Sequence, residues 1–277
     1  MLSHFRAALT RSSLGVILVL SAGAATALES PWANAGKAEV RLLAGGASGA
    51  DVTRAGIEIR LARGWHTYWR YPGDAGIPPR FDWSGSGNVA TVEIRWPAPE
   101  RIPIEDGLAS IGYSGDVLLP LDVRAVDAAK PVTLRLKLDF GVCEKICIPA
   151  SAKVALDIPP GAGKRHALLD AAESRVPALH QSNEQLGVIS AKLKHGKPPQ
   201  ALIEVAAPAG KPFDLFAEGP ADGWALPLPK LIEHKDGRAR FILPLEGAPA
   251  GAGPIPSKLR LTLVSGDRAI ETTVPLD

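Results

Sequence analysis

Residues 132–149 read VTLRLKLDFGVCEKICIP, and the period of this stretch sets the fold class. Val132, Leu134, Leu136, Leu138 and Phe140 alternate with polar neighbours, the pattern of a strand with one buried face. The alternation returns at Val154, Leu156 and Ile158, so the two runs read as a hairpin. Cys143 and Cys147, the two cysteines of the chain, fall at its tip.

Working outward, the same period appears at Ile57, Ile59 and Leu61 and at Val92, Ile94 and Trp96. Turn clusters separate these runs: Pro72-Gly73-Asp74, Ser84-Gly85-Ser86-Gly87-Asn88, and residues 127–131. The 28 glycines and 25 prolines suit a turn-rich β protein, and the spacing is that of an antiparallel sandwich. A break follows at Pro159-Pro160-Gly161-Ala162-Gly163, and residues 166–179 read as the one helical stretch, with Leu168, Leu169, Ala172 and Val176 near one face. Alternation then resumes at Val188 and Ile189, across residues 202–205 and 241–245, and at Leu259, Leu261 and Leu263. The expected architecture is all-β: two immunoglobulin-like β-sandwich domains joined by a short linker and helix. The expected bounds are 28–160 for the first domain, 161–182 for the linker and helix, and 183–277 for the second.

Three short matches recur in order between the halves. Phe81-Asp82-Trp83, Leu118-Leu119-Pro120-Leu121 and residues 134–138 correspond to Phe213-Asp214-Leu215, Ile242-Leu243-Pro244-Leu245 and residues 259–263. Short apolar matches arise readily in β sequences, so duplication and coincidence both stay open.

The first 27 residues place the chain in a compartment. Arg6 and Arg11 precede an apolar run over 14–20 that ends at Ala25-Thr26-Ala27, the pattern of a secretory signal peptide with its cleavage site. A spanning anchor needs about 20 uninterrupted apolar residues; Ser21, Gly23 and Thr26 interrupt this one. The expected location is periplasmic. Two of the 31 basic residues lie in that leader, leaving 29 basic against 29 acidic over residues 28–277. Such a neutral chain lacks the basic excess of a nucleic-acid binder, so no nucleic-acid partner is expected.

Facing positions across an antiparallel pair bring Cα atoms to about 4.5–5.5 Å, within reach of a disulfide. A permanent staple across so short a loop contributes only about 2 kcal/mol, and a chain with this many apolar strands has little need of it. Exposed disulfides, by contrast, are the labile ones. These considerations leave a structural and an exchangeable pair both open. A zinc or copper site from Cys143, Cys147 and His66 lacks the rest of its shell, since the one methionine is Met1. No metal and no organic cofactor are expected, and His66 reads as an ordinary strand residue beside Trp65 and Tyr68. No G-x-S-x-G elbow, H-E-x-x-H pair or phosphate loop occurs, which leaves hydrolytic and nucleotide chemistry without support.

Three stretches, taken together, carry a family resemblance: Gly64-Trp65-His66-Thr67-Tyr68-Trp69-Arg70, then Gly112-Tyr113-Ser114-Gly115-Asp116-Val117-Leu118-Leu119-Pro120, then residues 140–149 with both cysteines and a closing Cys-x-Pro. Residues 38–158 resemble the N-terminal periplasmic domain of the thiol:disulfide interchange protein DsbD and of its relative, the copper-tolerance protein ScsB. The resemblance implies a thiol–disulfide oxidoreductase that takes electrons from a membrane-embedded partner and passes them to thioredoxin-fold periplasmic proteins, chemistry also tied to cytochrome c biogenesis. It implies Cys143 and Cys147 as the redox pair, with Cys147 attacking and Cys143 resolving. It matches a capping loop to Glu105-Asp106-Gly107-Leu108, with Leu108 where the family carries an aromatic residue, and site-flanking aromatics to Tyr68 and Tyr71. DsbD itself continues into membrane helices and a thioredoxin-like domain that this sequence does not show, so the expected electron donor is a separate polypeptide. The competing reading is a periplasmic binding or chaperone module whose disulfide is inert.

Overall fold

The computed structural model describes residues 28–47, 49, 51–104, 107–161, 166–179, 185–221 and 223–276. The expected signal peptide therefore lies outside the described residues, as does part of the expected linker. Among these residues twenty strands and one helix form two sandwich-like bodies. Among the described residues no helix is long and apolar enough to cross a membrane.

In the first body one sheet runs β1 (Leu28–Glu29), β3 (Ala38–Ala47), β4 (Val52–Leu61), β10 (Val117–Ala125), β7 (Val89–Ile94), with β2 (Ala33–Asn34) also on β3. The facing sheet runs β12 (Cys147–Ile158), β11 (Val132–Cys143), β5 (His66–Gly73), β9 (Ala109–Ser114), β8 (Glu100–Pro103), with β6 (Arg80–Asp82) on β11. Ile57, Ile59 and Leu61 from one sheet and Leu134, Leu136, Leu138 and Phe140 from the other meet in one core. The period-two pattern thus resolves into the inner faces of two sheets.

The second body pairs β13 (Ala178–Leu179), β20 (Arg268–Pro275), β19 (Lys258–Ser265) and β16 (Phe213–Glu218) against β14 (Gly187–Lys194), β15 (Gln200–Ala206), β18 (Arg238–Pro244) and β17 (Lys230–Lys235). Its core gathers Ile203, Val205, Phe241, Leu243, Leu259, Leu261 and Leu263. The order β14-β15-β18-β17 reproduces β3-β4-β10-β7, and β20-β19-β16 reproduces β12-β11-β6. The three recurring sequence matches fall on β6 and β16, β10 and β18, and β11 and β19, which occupy equivalent places in the two orders. Strand order therefore favours duplication over coincidence. Among the described residues the second body has no counterpart of β5, β8 and β9 in that order, and β5 carries most of what surrounds the cysteines.

The helical stretch is shorter than the sequence pattern suggests: α1 spans Ala167–Glu173. Pro177 and the restriction it imposes on the preceding residue stop the helical period from reaching residue 179. Leu169 and Ala172 are buried as expected, whereas Leu168 is exposed. Rather than bridging solvent, α1 docks on the first body. A Cβ at Gly45 or Gly56 would meet the Leu169 side chain at 2.4 or 2.7 Å, so two glycines hollow the sheet surface that Leu169 fills. Arg54 anchors the same helix through Asp170 at 2.6 Å and Glu173 at 2.7 Å.

The two bodies share an interface centred on β5. Phe216 and Leu228 of the second body enter the first core, with the Phe216 ring 6.1 Å from that of Trp69. The Arg70 guanidinium lies 4.1 Å from the Trp69 ring and binds Glu218 at 2.6 Å and also Glu271. Burial by itself disfavours the Arg70 charge, yet hydrogen bonding to Glu218 and the two carboxylates hold its pKa above the ordinary value. Arg101 completes the contact with a two-pronged grip on Asp214 at 2.8 and 2.9 Å.

Candidate functional site

The register of β11 and β12 runs unbroken from Val132↔Ile158 to Cys143↔Cys147. Since side chains alternate in face, Val142 points into the core while Cys143 shares the outer face with Asp139 and Gly141. The two cysteines are joined in a disulfide, with Cα atoms 4.1 Å apart. Their surroundings differ. Cys143 is buried, 4% exposed, because β5 closes against that end of β11 through Cys143↔His66 and Val142↔Thr67. The Thr67 hydroxyl fastens this junction by donating to the Gly141 carbonyl at 2.8 Å. Cys147 opens the other strand and is exposed, as are Glu144, Lys145 and Ile146 between the pair.

Tyr68 lies two residues beyond His66 and so projects from the same face of the sheet. Its ring meets that of His66 edge-on at 5.6 Å, and its hydroxyl donates to Cys147 Sγ at 3.0 Å. Two glycines make room for this ring. A Cβ on Gly141 would come within 2.7 Å of it and a Cβ on Gly76 within 2.5 Å; Gly76 also holds φ at +155°, a conformation that side chains resist. Burial pushes the Tyr68 phenol above its ordinary pKa, which keeps the proton it donates to the sulfur. His66 is 6% exposed and its Nε2 has no hydrogen-bond partner among the described residues. Burial lowers its pKa and the Glu100 carboxylate raises it, with burial the larger effect.

The residues singled out from sequence are distributed unevenly. Cys143, Cys147 and Tyr68 come together. Glu105 and Asp106 of the expected cap lie outside the described residues, and Leu108 beside them is about half exposed, with its carbonyl accepting from the Ile104 amide. Tyr71 turns to the other body, where its hydroxyl donates to the Leu226 carbonyl. Burial, with Asp74 and Glu218 adding to it, pushes its pKa up to about 12.

Two neighbours were not placed beside the cysteines from sequence. His66, weighed only as a metal ligand and read as an ordinary strand residue, is one; nothing in the spacing shows that its strand abuts Cys143. Ile77 is the other, 40% exposed, with its Cβ 2.8 Å from where a Gly141 side chain would begin. With Pro78, Phe140 and Pro149 it lines an open groove of ≈ 510 Å³ beside the hairpin. Its signal was an isolated isoleucine set between Gly76 and the pair Pro78-Pro79, where a turn has no core of its own to bury it.

Residues 39–159 match the family described as thiol:disulfide interchange protein DsbD, N-terminal. No curated protein matches the sequence. Among solved structures, the chain is similar to the N-terminal periplasmic domain of ScsB from Proteus mirabilis, with a TM-score of 0.69 and 20% identity, over 91% of this chain and 99% of that one. That likeness covers both bodies and carries the fold.

Proposed function

With residues 39–159 matching the DsbD N-terminal family, we propose that this chain is a periplasmic thiol–disulfide interchange protein working through Cys143 and Cys147. In this reading it receives electrons from a membrane-embedded thiol donor and passes them to thioredoxin-fold proteins. Residues 28–160 form the redox domain, 161–182 the linker and helix, and 183–277 the supporting domain. The observation that carries the reading is the asymmetry of the pair: one sulfur exposed at a hairpin tip, its partner buried directly opposite. Exchange needs one accessible sulfur to attack and a second, close by, to resolve. The reduced Cys147 sulfur attacks a partner disulfide, the partner's other sulfur leaves as thiolate, and Cys143 then displaces the partner to restore the internal bond. Tyr68 supplies a hydrogen bond to the attacking sulfur, and the groove lined by Ile77, Pro78, Phe140 and Pro149 offers apolar surface for the incoming protein.

The reading is tested by thiol trapping across a glutathione redox series under native conditions. The pair is expected to open and close reversibly while the protein stays folded. A bond that resists reduction until the chain unfolds refutes exchange and favours the chaperone alternative.

A further inference from the structure

We propose that His66 accepts the proton of the Cys143 thiol in the step that resolves the mixed disulfide; this rests on the exchange reading above. Antiparallel pairing sets His66 directly opposite Cys143, so the two side chains share one face at about 5 Å between their Cβ atoms. Both residues are buried, which denies the Cys143 thiol direct access to bulk water as a base. Among the described residues the His66 Nε2 is a buried polar atom with no partner, and an atom of that kind costs stability unless something compensates. A thiol proton supplies the missing partner once the disulfide is open.

The groups facing His66 suit this role. On its own strand Tyr68 is edge-on and already donates to Cys147, so it does not compete as an acceptor. On the other side Ser114 is the residue opposite His66, and its amide donates to Glu100 Oε1 at 2.5 Å. Glu100 is the acid that favours protonated His66. Cysteine, imidazole and carboxylate thus lie in a row across β11, β5 and β8, with β9 between the last two. Near the start of β5, Glu144 approaches Gly64 from the hairpin loop. Glu100 and Ser114 also wall a ≈ 590 Å³ cavity between the two bodies, whose other charged groups are Asp116, Arg175, Asp267 and Arg268. Solvent there takes the proton onward. Burial keeps the resting imidazole unprotonated and ready to accept.

The step balances as follows. Cys147 Sγ begins bonded to a partner sulfur. His66 takes the Cys143 proton, Cys143 Sγ attacks Cys147 Sγ, and the internal S–S bond forms as the bond to the partner breaks. The electron pair leaves on the partner sulfur as thiolate, and the imidazolium loses its proton to water. Over both steps two electrons pass from the Cys143/Cys147 dithiol to the partner disulfide.

The test mixes the reduced full chain with 5,5′-dithiobis(2-nitrobenzoate) in stopped flow. Release of the first nitrothiobenzoate reports attack by Cys147, and release of the second reports resolution by Cys143. In His66→Gln the second phase is expected to slow by about a hundredfold or more near neutral pH, the range of general-base catalysis, while the first phase persists. Glu100→Gln is expected to move the pH midpoint of the second phase downward, because it removes the charge that favours the imidazolium. A His66→Gln second phase with the wild-type rate and pH profile overturns the proposal. If that variant does not fold, an unmoved midpoint in Glu100→Gln overturns it instead. A wild type that stops after one equivalent sinks the exchange reading itself, and the relay with it.

Discussion

Arg70 is the cation on which two interface carboxylates depend, and replacing it with methionine keeps much of the side-chain length while removing the charge. Glu218 and Glu271 are then left together at the interface, with 15% and 18% of their side chains exposed. Arg260 also pairs with Glu218, but at 3.9 Å and half exposed, so it compensates only weakly. Removing one partner of a fully buried ion pair costs about 3–5 kcal/mol. Roughly a sixth of each of these side chains remains wet, and the resulting screening reduces the expected cost to about 2–4 kcal/mol. For a chain of this length that lowers the melting temperature by about 5–15 °C. Circular dichroism melts of the wild type, Arg70→Met and the double variant Arg70→Met/Glu218→Gln measure it. The double variant is expected to recover part of the loss, since it removes one of the stranded charges. An Arg70→Met protein that melts within about 2 °C of wild type refutes the idea that this cluster holds the two bodies together.

Three further predictions follow from the site. Cys143→Ser is expected to accumulate a mixed disulfide through Cys147 on non-reducing gels with a thioredoxin-fold protein, whereas Cys147→Ser should trap nothing because Cys143 is buried; equal trapping by both defeats the assigned roles. Gly141→Ala drives a methyl into the Tyr68 ring and Ile77, an overpacking cost of about 1–3 kcal/mol, and should shift Tyr68 off the sulfur; unchanged stability by urea titration contradicts the packing account. Burial holds the folded imidazole of His66 below its ordinary value of 6.5, so as pH falls the unfolded chain takes the proton first. Stability should therefore decline with acidification from about pH 6.5 until the folded group also titrates. His66→Gln should flatten that slope, and a slope identical to wild type shows that other groups cause it.

Several particular features were legible in sequence because they depend on local chemistry. The alternation from Val132 to Phe140 dictates a half-buried strand whatever it packs against, and the return at Val154 dictates a hairpin. The same pattern in the second half announced a second β body. Helix length was less legible, because Leu168 and Val176 fit the helical period while Pro177 limited how far it could run.

What the sequence determined by itself was the β class, the hairpin and the placing of both cysteines at its tip, since these follow from side-chain period and chain spacing within some 30 residues. Tertiary structure decided which sulfur is buried, because β5 reaches Cys143 from 77 residues upstream and no local pattern records that pairing. It decided likewise that Tyr68 reaches Cys147 while Tyr71, three positions on, serves the contact between the bodies. Neighbours on one strand part company there because adjacent faces of a sheet meet different surfaces, and only the assembled layers settle what each surface is.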